Sequence, residues 1–397
     1  MANKIKRKVA IIGGGSSAHV VIPLLSAEGF EVNLLTSRPQ IWKKKIELEY
    51  QSETGKAEKV IEGSLNLISD DPKKVLADVD FVLLCMPVSQ YKASLEKLAP
   101  HLDRKKKIYL GTIYGQGGFN WIADDIKKKN SLDNLVTFAF GLIPWVCRTK
   151  EYGKTGIIYG SKNKNIVAVS PLSEFEELKT TFLKCICSND NILLSTNFLS
   201  LTLSLTNQII HPSRMYGLYL KNKGNWKTKE EIPLFYKDFD DVSADILKKV
   251  DADYSKIRDK IKKENPNSDF EYMMDYVSLE EFYFPPKIKS IKTLFTNSKT
   301  LSLIKTPVVR TKDQKWELNR GHRFFADDIF YGLCIAKWFS EEFDIEVPMI
   351  DEILNWAQNL LKINLIVAGK LNRKCTLNNI CIGTPEKYNI SLNDSLL

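Results

Sequence analysis

The chain has 397 residues and a mass of 45.4 kDa, which at roughly 150 residues per domain gives two or three domains and a core that needs no staples. A hydrophobic fraction of 44% and a charged fraction of 26% exclude wholesale disorder and a collagen-like chain. Lys plus Arg exceed Asp plus Glu by 57 to 48, a net charge of +9. The excess lies in short scattered clusters with no nucleic-acid motif beside them, so the expected partner is an anionic small molecule rather than nucleic acid.

The seven cysteines are odd in number and sit mostly in apolar stretches. They read as reduced, buried thiols, and a reducing compartment, the cytoplasm, is expected. Cys185 and Cys187 form the only close pair, without a second pair at zinc spacing, so no metal site is expected. No apolar run reaches the ~18 residues of a membrane span, so no membrane association is expected. The basic start before Val9 imitates a signal peptide, but three glycines interrupt the apolar run at once.

Taken in chain order, Val9–Ile12 reads as a buried parallel strand. Gly13-Gly14-Gly15-Ser16-Ser17-Ala18 follows, then the helical stretch Val20–Leu25. This is strand, Gly-x-Gly-x-x-Ala, helix. Gly13 allows the tight turn, Gly15 lets backbone approach a pyrophosphate, and Ala18 lets helix and strand pack closely. The amides of Ser16 and Ser17 at the helix N-terminus face the phosphates. Glu31–Leu35 reads as the second strand, ending in Thr36-Ser37-Arg38-Pro39. An acid here would hold a ribose 2′-hydroxyl, but none is present. Ser37 and Arg38 suit a 2′-phosphate, so NADP(H) is preferred, with NAD(H) possible. Val79–Pro87 is a buried strand stopped by proline, and Pro87 at its end should border the cofactor.

Lys107–Gly111 is a further strand, leading into a second glycine-rich loop, Tyr114–Phe119. Gln116 in that loop is expected to bind substrate. Thr155–Tyr159 and Asn165–Val169 look like two arms of a hairpin around Gly160–Lys164. From about Asn197 long amphipathic stretches replace strands: Asp238–Lys263, Phe324–Phe339 and Met349–Leu361. The expected fold is an α/β, doubly wound Rossmann-like domain over 1–196 and an all-α catalytic domain over 197–397, joined by a compact hinge, with substrate in a cleft between them.

There are four histidines. His19 opens the helix after the glycine turn, and His101 lies in a loop-like segment. His211 stands out, because Asn207 and His211 share a helix face and Pro212 should kink or end that helix at His211. A histidine at such a place is an acid–base candidate. In the second cluster, Gly321–Gly332, Arg323 offers a bidentate fork for a carboxylate, and Asp327 and Asp328 fall in the first turn of a helix.

Together these residues resemble the opine dehydrogenases of the octopine dehydrogenase type, over nearly the whole chain. The resemblance rests on the glycine motif with Ala18-His19, Ile143–Gly153, His211-Pro212, Pro233–Tyr236, Arg323–Asp328 and Trp356-Ala357-Gln358. It implies a 6-phosphogluconate-dehydrogenase-like layout and NAD(P)H-dependent reductive condensation of an amino acid with a 2-oxo acid such as pyruvate, through an imine. It further implies that His211 exchanges the proton, Asp328 orients His211, Arg323 clamps a substrate carboxylate, and Asn207 orients nicotinamide or substrate. The segment Phe138–Ile143 carries no carboxylate to receive a guanidinium, which argues against arginine as the amino acid. A dehydrogenase for hydroxy acids or sugar phosphates, which would typically rely on a lysine, and a non-enzymatic NADP(H) sensor stay as alternatives. The chain is expected to be a monomer or homodimer.

Overall fold

The computed structural model describes residues 7–52, 54–187, 189–284 and 287–396; positions 4–6 of the basic start lie outside them. The chain divides into two units, 1–115 with 119–198, and 116–118 with 199–397. The middle of the second glycine-rich loop thus goes with the second unit.

The first unit is built on an eight-stranded sheet. Its strands are β1 (Lys8–Ile12), β2 (Glu31–Leu35), β5 (Leu67–Ser69), β6 (Phe81–Leu84), β7 (Ile108–Thr112), β8 (Leu135–Phe140), β11 (Asn165–Ser170) and β12 (Ile192–Ser195). The order is β12-β11-β8-β7-β6-β1-β2-β5. From β5 to β8 every pairing is parallel. β11 then runs antiparallel to β8, and β12 parallel to β11. Near-continuous apolar runs such as FVLL are what a strand covered on both faces requires. The order reverses at β1, flanked by β2 and β6, so the ends of β1 and β6 frame the switch point where ligands of such sheets bind. Helix α1 (Ser16–Ala27) leaves from there.

A second sheet runs β4-β3-β10-β9 and comprises β3 (Lys45–Gln51), β4 (Ala57–Ser64), β9 (Trp145–Glu151) and β10 (Thr155–Ser161). It packs on α1 through glycines. A Cβ on Gly63 would lie 2.4 Å from Pro23 Cα, and one on Gly156 would lie 2.8 Å from the His19 carbonyl oxygen. This corrects the expected hairpin. β10 and β11 belong to different sheets, and β10 instead pairs antiparallel with β9 across a turn at Tyr152-Gly153. The chain from 155 to 170 alternates too weakly to reveal which neighbour each strand takes.

The second unit is mainly helical, as its amphipathic stretches require. Its long helices are α2 (Asn207–Asn222), α3 (Asp241–Glu264), α4 (Cys334–Glu342) and α5 (Pro348–Leu361), with a π-helix over Phe324–Leu333. α3 is capped by Asp240, whose side chain accepts from Ser243 N, and closes on Lys262 and Lys263, which suit the helix dipole. Small sheets interrupt the all-helical expectation: one of three strands, at Asn225–Trp226, Val308–Arg310 and Trp316–Leu318, and two two-stranded ones.

A second correction concerns Pro212. α2 begins at Asn207 and runs through Pro212 without ending. Near a helix start a proline removes one amide bond, here the one to the Gln208 carbonyl, and the preceding turn is already anchored by Ile209 and Ile210 N–H on Thr206 O. The residues 199–204 form a separate short helix before it.

Candidate active site

At the end of β1, Gly13 has φ +100°, and a Cβ there would lie 2.7 Å from the Cys85 carbonyl oxygen at the end of β6. Only glycine meets both conditions. Gly15 differs, since a Cβ would meet only the Cys85 oxygen at 3.5 Å, an ordinary contact. No neighbouring residue crowds Gly15, so the space beside its backbone is open. α1 starts directly after it with no acid in its first turn. The Ser16 and Ser17 amides therefore stand at a helix N-terminus, where N–H groups lack intrahelical acceptors. Ala18 is buried. The residues present fit a dinucleotide pyrophosphate. The hydroxyls are partly engaged: Ser16 Oγ accepts from Thr149 N at 3.1 Å, and Ser17 bonds the Cys85 thiol, whose pKa burial pushes up to about 12. Pro87 is exposed at the end of the β6 segment, at the start of a short 3₁₀ turn.

Ser37 and Arg38 are exposed beyond the end of β2. The Arg38 guanidinium lies 4.3 Å from the centroid of the Tyr152 ring. Tyr152 in turn meets Trp42 and His19 edge-on, with centroids 5.5 Å apart in each case. His19 ties this group to the glycine loop. Its Nδ1 donates to Gly15 O at 2.9 Å and its Nε2 accepts from Gly153 N at 2.8 Å. A carbonyl can only accept and an amide N–H can only donate, so the ring is neutral with its proton on Nδ1. Burial lowers its pKa, partly offset by the Gly15 bond.

In the second unit, α2, the π-helix and the 116–118 segment bring three distant parts of the chain together. His211 Nδ1 lies 2.8 Å from Asp328 Oδ2, and both side chains are buried. A carboxylate accepts, so Nδ1 carries the proton. Gln116 Nε2 donates to the other carboxylate oxygen at 3.1 Å and to Asp327 O at 3.2 Å. The Gln116 Oε1 is buried and has no hydrogen-bond partner among the described residues. The Phe324 ring stacks on His211 with centroids 3.7 Å apart. Phe324 and Asp328 are thus presented side by side by one wide π-turn, a geometry that recurs at functional sites. Gly332 lets the π-helix meet α2 closely, since a Cβ there would lie 2.6 Å from Gln208 Cβ. The remaining ring nitrogen, His211 Nε2, lies 3.0 Å from the Tyr236 hydroxyl. Buried Tyr254, whose pKa is raised well above the phenol value by burial, also feels the Asp328 charge.

Arg323 is exposed, forms no ion pair among the described residues, and holds its guanidinium 5.2 Å from the Phe324 ring centroid. Asn207, half-buried, opens α2 one turn before His211. His322 accepts from Phe324 N through Nδ1 at 3.4 Å and meets the Phe324 ring edge-on, which gives it a capping place before the π-helix. His211, Asp328 and Gln116 are therefore in one bonded group, with Arg323 adjoining through Phe324. Sequence reasoning gave no role to Tyr236, Phe324 or Tyr152. All three stood inside motifs that carried the family resemblance, which was the available signal.

Residues 194–361 match the family described as NAD/NADP octopine/nopaline dehydrogenase, alpha-helical domain. Residues 8–112 match NADP oxidoreductase, coenzyme F420-dependent. Among characterised proteins, the chain is 25% identical to a tauropine dehydrogenase of Arabella iricolor, covering 98% of this chain and 99% of that one. It is 26% identical to an opine dehydrogenase of Haliotis discus hannai, covering 99% and 98%. Among solved structures, an octopine dehydrogenase with NADH and L-arginine superposes with a TM-score of 0.80 at 21% identity, covering 99% and 98%.

Proposed function

We infer that this chain, which belongs to the opine dehydrogenase family of the octopine dehydrogenase type, catalyses NAD(P)H-dependent reductive condensation of an amino acid with a 2-oxo acid, and the reverse oxidation. The observation that carries the reading is the buried Asp328–His211 pair, held by Gln116, in a helical unit of this family. The amine and the oxo acid lose water to form an imine. The bound nicotinamide supplies the hydride that reduces the imine carbon. His211 Nε2 exchanges the proton with the substrate nitrogen, giving it in one direction and taking it in the other. Asp328 fixes the tautomer and steadies the imidazolium, as a carboxylate does for a catalytic histidine. Arg323, with no acid on it, is free to clamp a substrate carboxylate bidentately. Gln116 orients Asp328 through its amide nitrogen and keeps Oε1 for a substrate N–H, and Asn207 orients substrate or nicotinamide at the start of α2.

Gly13, Gly15, Ser16, Ser17, Ala18 and Pro87 would hold the dinucleotide at the end of β1 and β6. Ser37 and Arg38 favour NADP(H) over NAD(H), because a guanidinium stacked on Tyr152 is pre-oriented for a 2′-phosphate. A cytoplasmic setting suits seven free thiols, and among the described residues no helix is long and apolar enough to cross a membrane. The test is a matrix of amino acids against pyruvate, glyoxylate and 2-oxoglutarate, following oxidation of NADPH and NADH. Turnover requiring both an amine and an oxo acid supports the reading. Turnover of a hydroxy acid without an amine, or tight NADPH binding with no turnover of any pair, overturns it.

A further inference from the structure

We propose that Tyr236 is a positioning residue of the acid–base site, its phenol holding the outward nitrogen of His211 and supporting the protonated ring. The proposal rests on the reading of His211 as the proton-exchanging group. An imidazole has two nitrogens. Nδ1 is committed to Asp328, so the nitrogen left for chemistry is Nε2, and that atom lies 3.0 Å from the Tyr236 hydroxyl. A substrate amine that exchanges a proton with Nε2 therefore meets the phenol as well.

The contact is built by the fold. Arg214 follows His211 by three residues on α2 and is fully buried. Its Nε donates to Phe235 O at 3.0 Å and its Nη2 to Asp238 O at 2.7 Å, so it grips the backbone on both sides of Tyr236. Its Nη1 reaches Asp240 at 3.2 Å and Ser243 Oγ at 3.1 Å. From the other side, Phe235 N donates to Ile304 O at 2.9 Å, and the Tyr236 ring meets Phe295 with centroids 5.5 Å apart. One helix thus carries both the histidine and the clamp that aims the phenol at it.

The phenol donates to Nε2 of the neutral ring and accepts from Nε2–H of the imidazolium. The second bond is charge-assisted and the stronger of the two, so the hydroxyl favours the protonated form. Among the described residues, the titratable groups hydrogen-bonded to His211 include Asp328 and Tyr236. Behind them stand Tyr254 of α3, which interacts with Asp328, and Asp327, whose carbonyl shares Gln116. Arg323 and His322 adjoin through Phe324. Of these groups, Tyr236 is the one at hydrogen-bond distance from Nε2.

The test is an NMR titration of full-length protein labelled with ¹⁵N-histidine, without ligands, with the His211 signals assigned by their loss in His211→Ala. Tyr236→Phe keeps the ring and removes the hydroxyl. The expected result is a displaced Nε2 resonance and a His211 midpoint lower by about one pH unit. The pH limb of kcat/KM for opine oxidation should move by the same amount, with the Kd for NADPH unchanged. An unmoved resonance and midpoint overturn the proposal. If Tyr236→Phe does not fold, a ring-fluorinated tyrosine at 236 keeps the shape and makes the oxygen a weaker acceptor. A lower midpoint then supports the proposal and an unchanged one overturns it. A displaced His211 resonance in a protein that turns over no amine and oxo acid pair supports the Tyr236 contact and overturns the opine reading, so the two failures are distinct.

Discussion

Replacing Asp328 with Asn tests the centre of the site, because it keeps the volume and removes the charge. In the native arrangement both carboxylate oxygens accept, one from His211 Nδ1 at 2.8 Å and one from Gln116 Nε2 at 3.1 Å. A carboxamide offers one oxygen and one NH2 to those two donors. If its oxygen stays on Gln116, its NH2 faces Nδ1 and drives the histidine to the other tautomer, with the proton on Nε2 and no base where the substrate nitrogen arrives. If its oxygen takes Nδ1, two donors face each other at Gln116. Loss of a hydrogen bond to a charged group is worth about 1.5–3 kcal/mol. At 1.36 kcal/mol per unit this lowers the His211 pKa by roughly one to two units. The sign follows: without the carboxylate the imidazolium loses support. The limb of opine oxidation that needs neutral histidine therefore moves to lower pH, and the reductive direction, which needs the imidazolium, fails at a lower pH than in the native protein. The tautomer change should lower kcat by an amount on the order of 10²–10⁴. The assay is kcat/KM against pH in both directions, with NADPH affinity as the control. His211→Ala with Asp328→Asn should be little worse than the worse single variant, since the pair acts as one unit. An unmoved pH profile, or fully additive losses, refutes the reasoning.

Arg38→Ala should lower kcat/KM with NADPH by the roughly 10- to 150-fold that corresponds to ~1.5–3 kcal/mol, and leave NADH nearly unchanged; equal efficiency with both cofactors in the native protein would defeat the assignment. Arg323→Lys keeps the charge and loses the fork, so kcat/KM for the oxo acid should fall well beyond tenfold with NADPH binding unaffected; equal weakening of cofactor binding moves Arg323 out of the substrate role. Gly13→Ala forces a Cβ to 2.7 Å from the Cys85 oxygen at φ +100°, so a loss of about 1–3 kcal/mol in stability is expected in thermal unfolding, together with weaker NADPH binding. His19 has a folded pKa below its ordinary 6.5, so its contribution is present above pH 6.5 and is lost as pH falls through the lowered folded value, where the unfolded chain binds the proton first. Thermal unfolding should therefore show the native protein losing stability more steeply than His19→Asn as pH falls below 6.5; parallel curves would remove His19 as the cause.

The glycine site was legible because everything it needs is adjacent in sequence: an apolar run, a turn that only glycine fits, and a helix start. Strand Glu31–Leu35 was legible for the same reason. The pairing of Thr155–Ser161 was not, because its partners lie at Lys45–Gln51 and Trp145–Glu151, and strand periodicity says which faces are buried but not which neighbour is taken. Pro212 misled in a definite way. Its effect depends on distance from the helix start, and the break between Ser204 and Asn207 left no proline or glycine to mark it. His211 and Asp328 were joined by family resemblance, since 117 residues separate them and no local pattern links them. Gln116 was singled out for substrate, and the contact of its amide nitrogen with Asp328 was not foreseen. A glycine-rich loop announces that backbone comes close to something, not what its one polar side chain will meet.

The grip of Arg214 on the carbonyls beside Tyr236 has a mechanical consequence. Because His211 and Arg214 share α2, a shift of that helix along its axis moves the histidine and pulls, through Arg214, on the segment that carries the phenol. Asp328 rides on a different helix. Sliding between the two is therefore felt at Nδ1 and in the Phe324 stack, so the face that the π-helix turns to His211 is the joint where motion of this unit would be converted into a change of proton affinity.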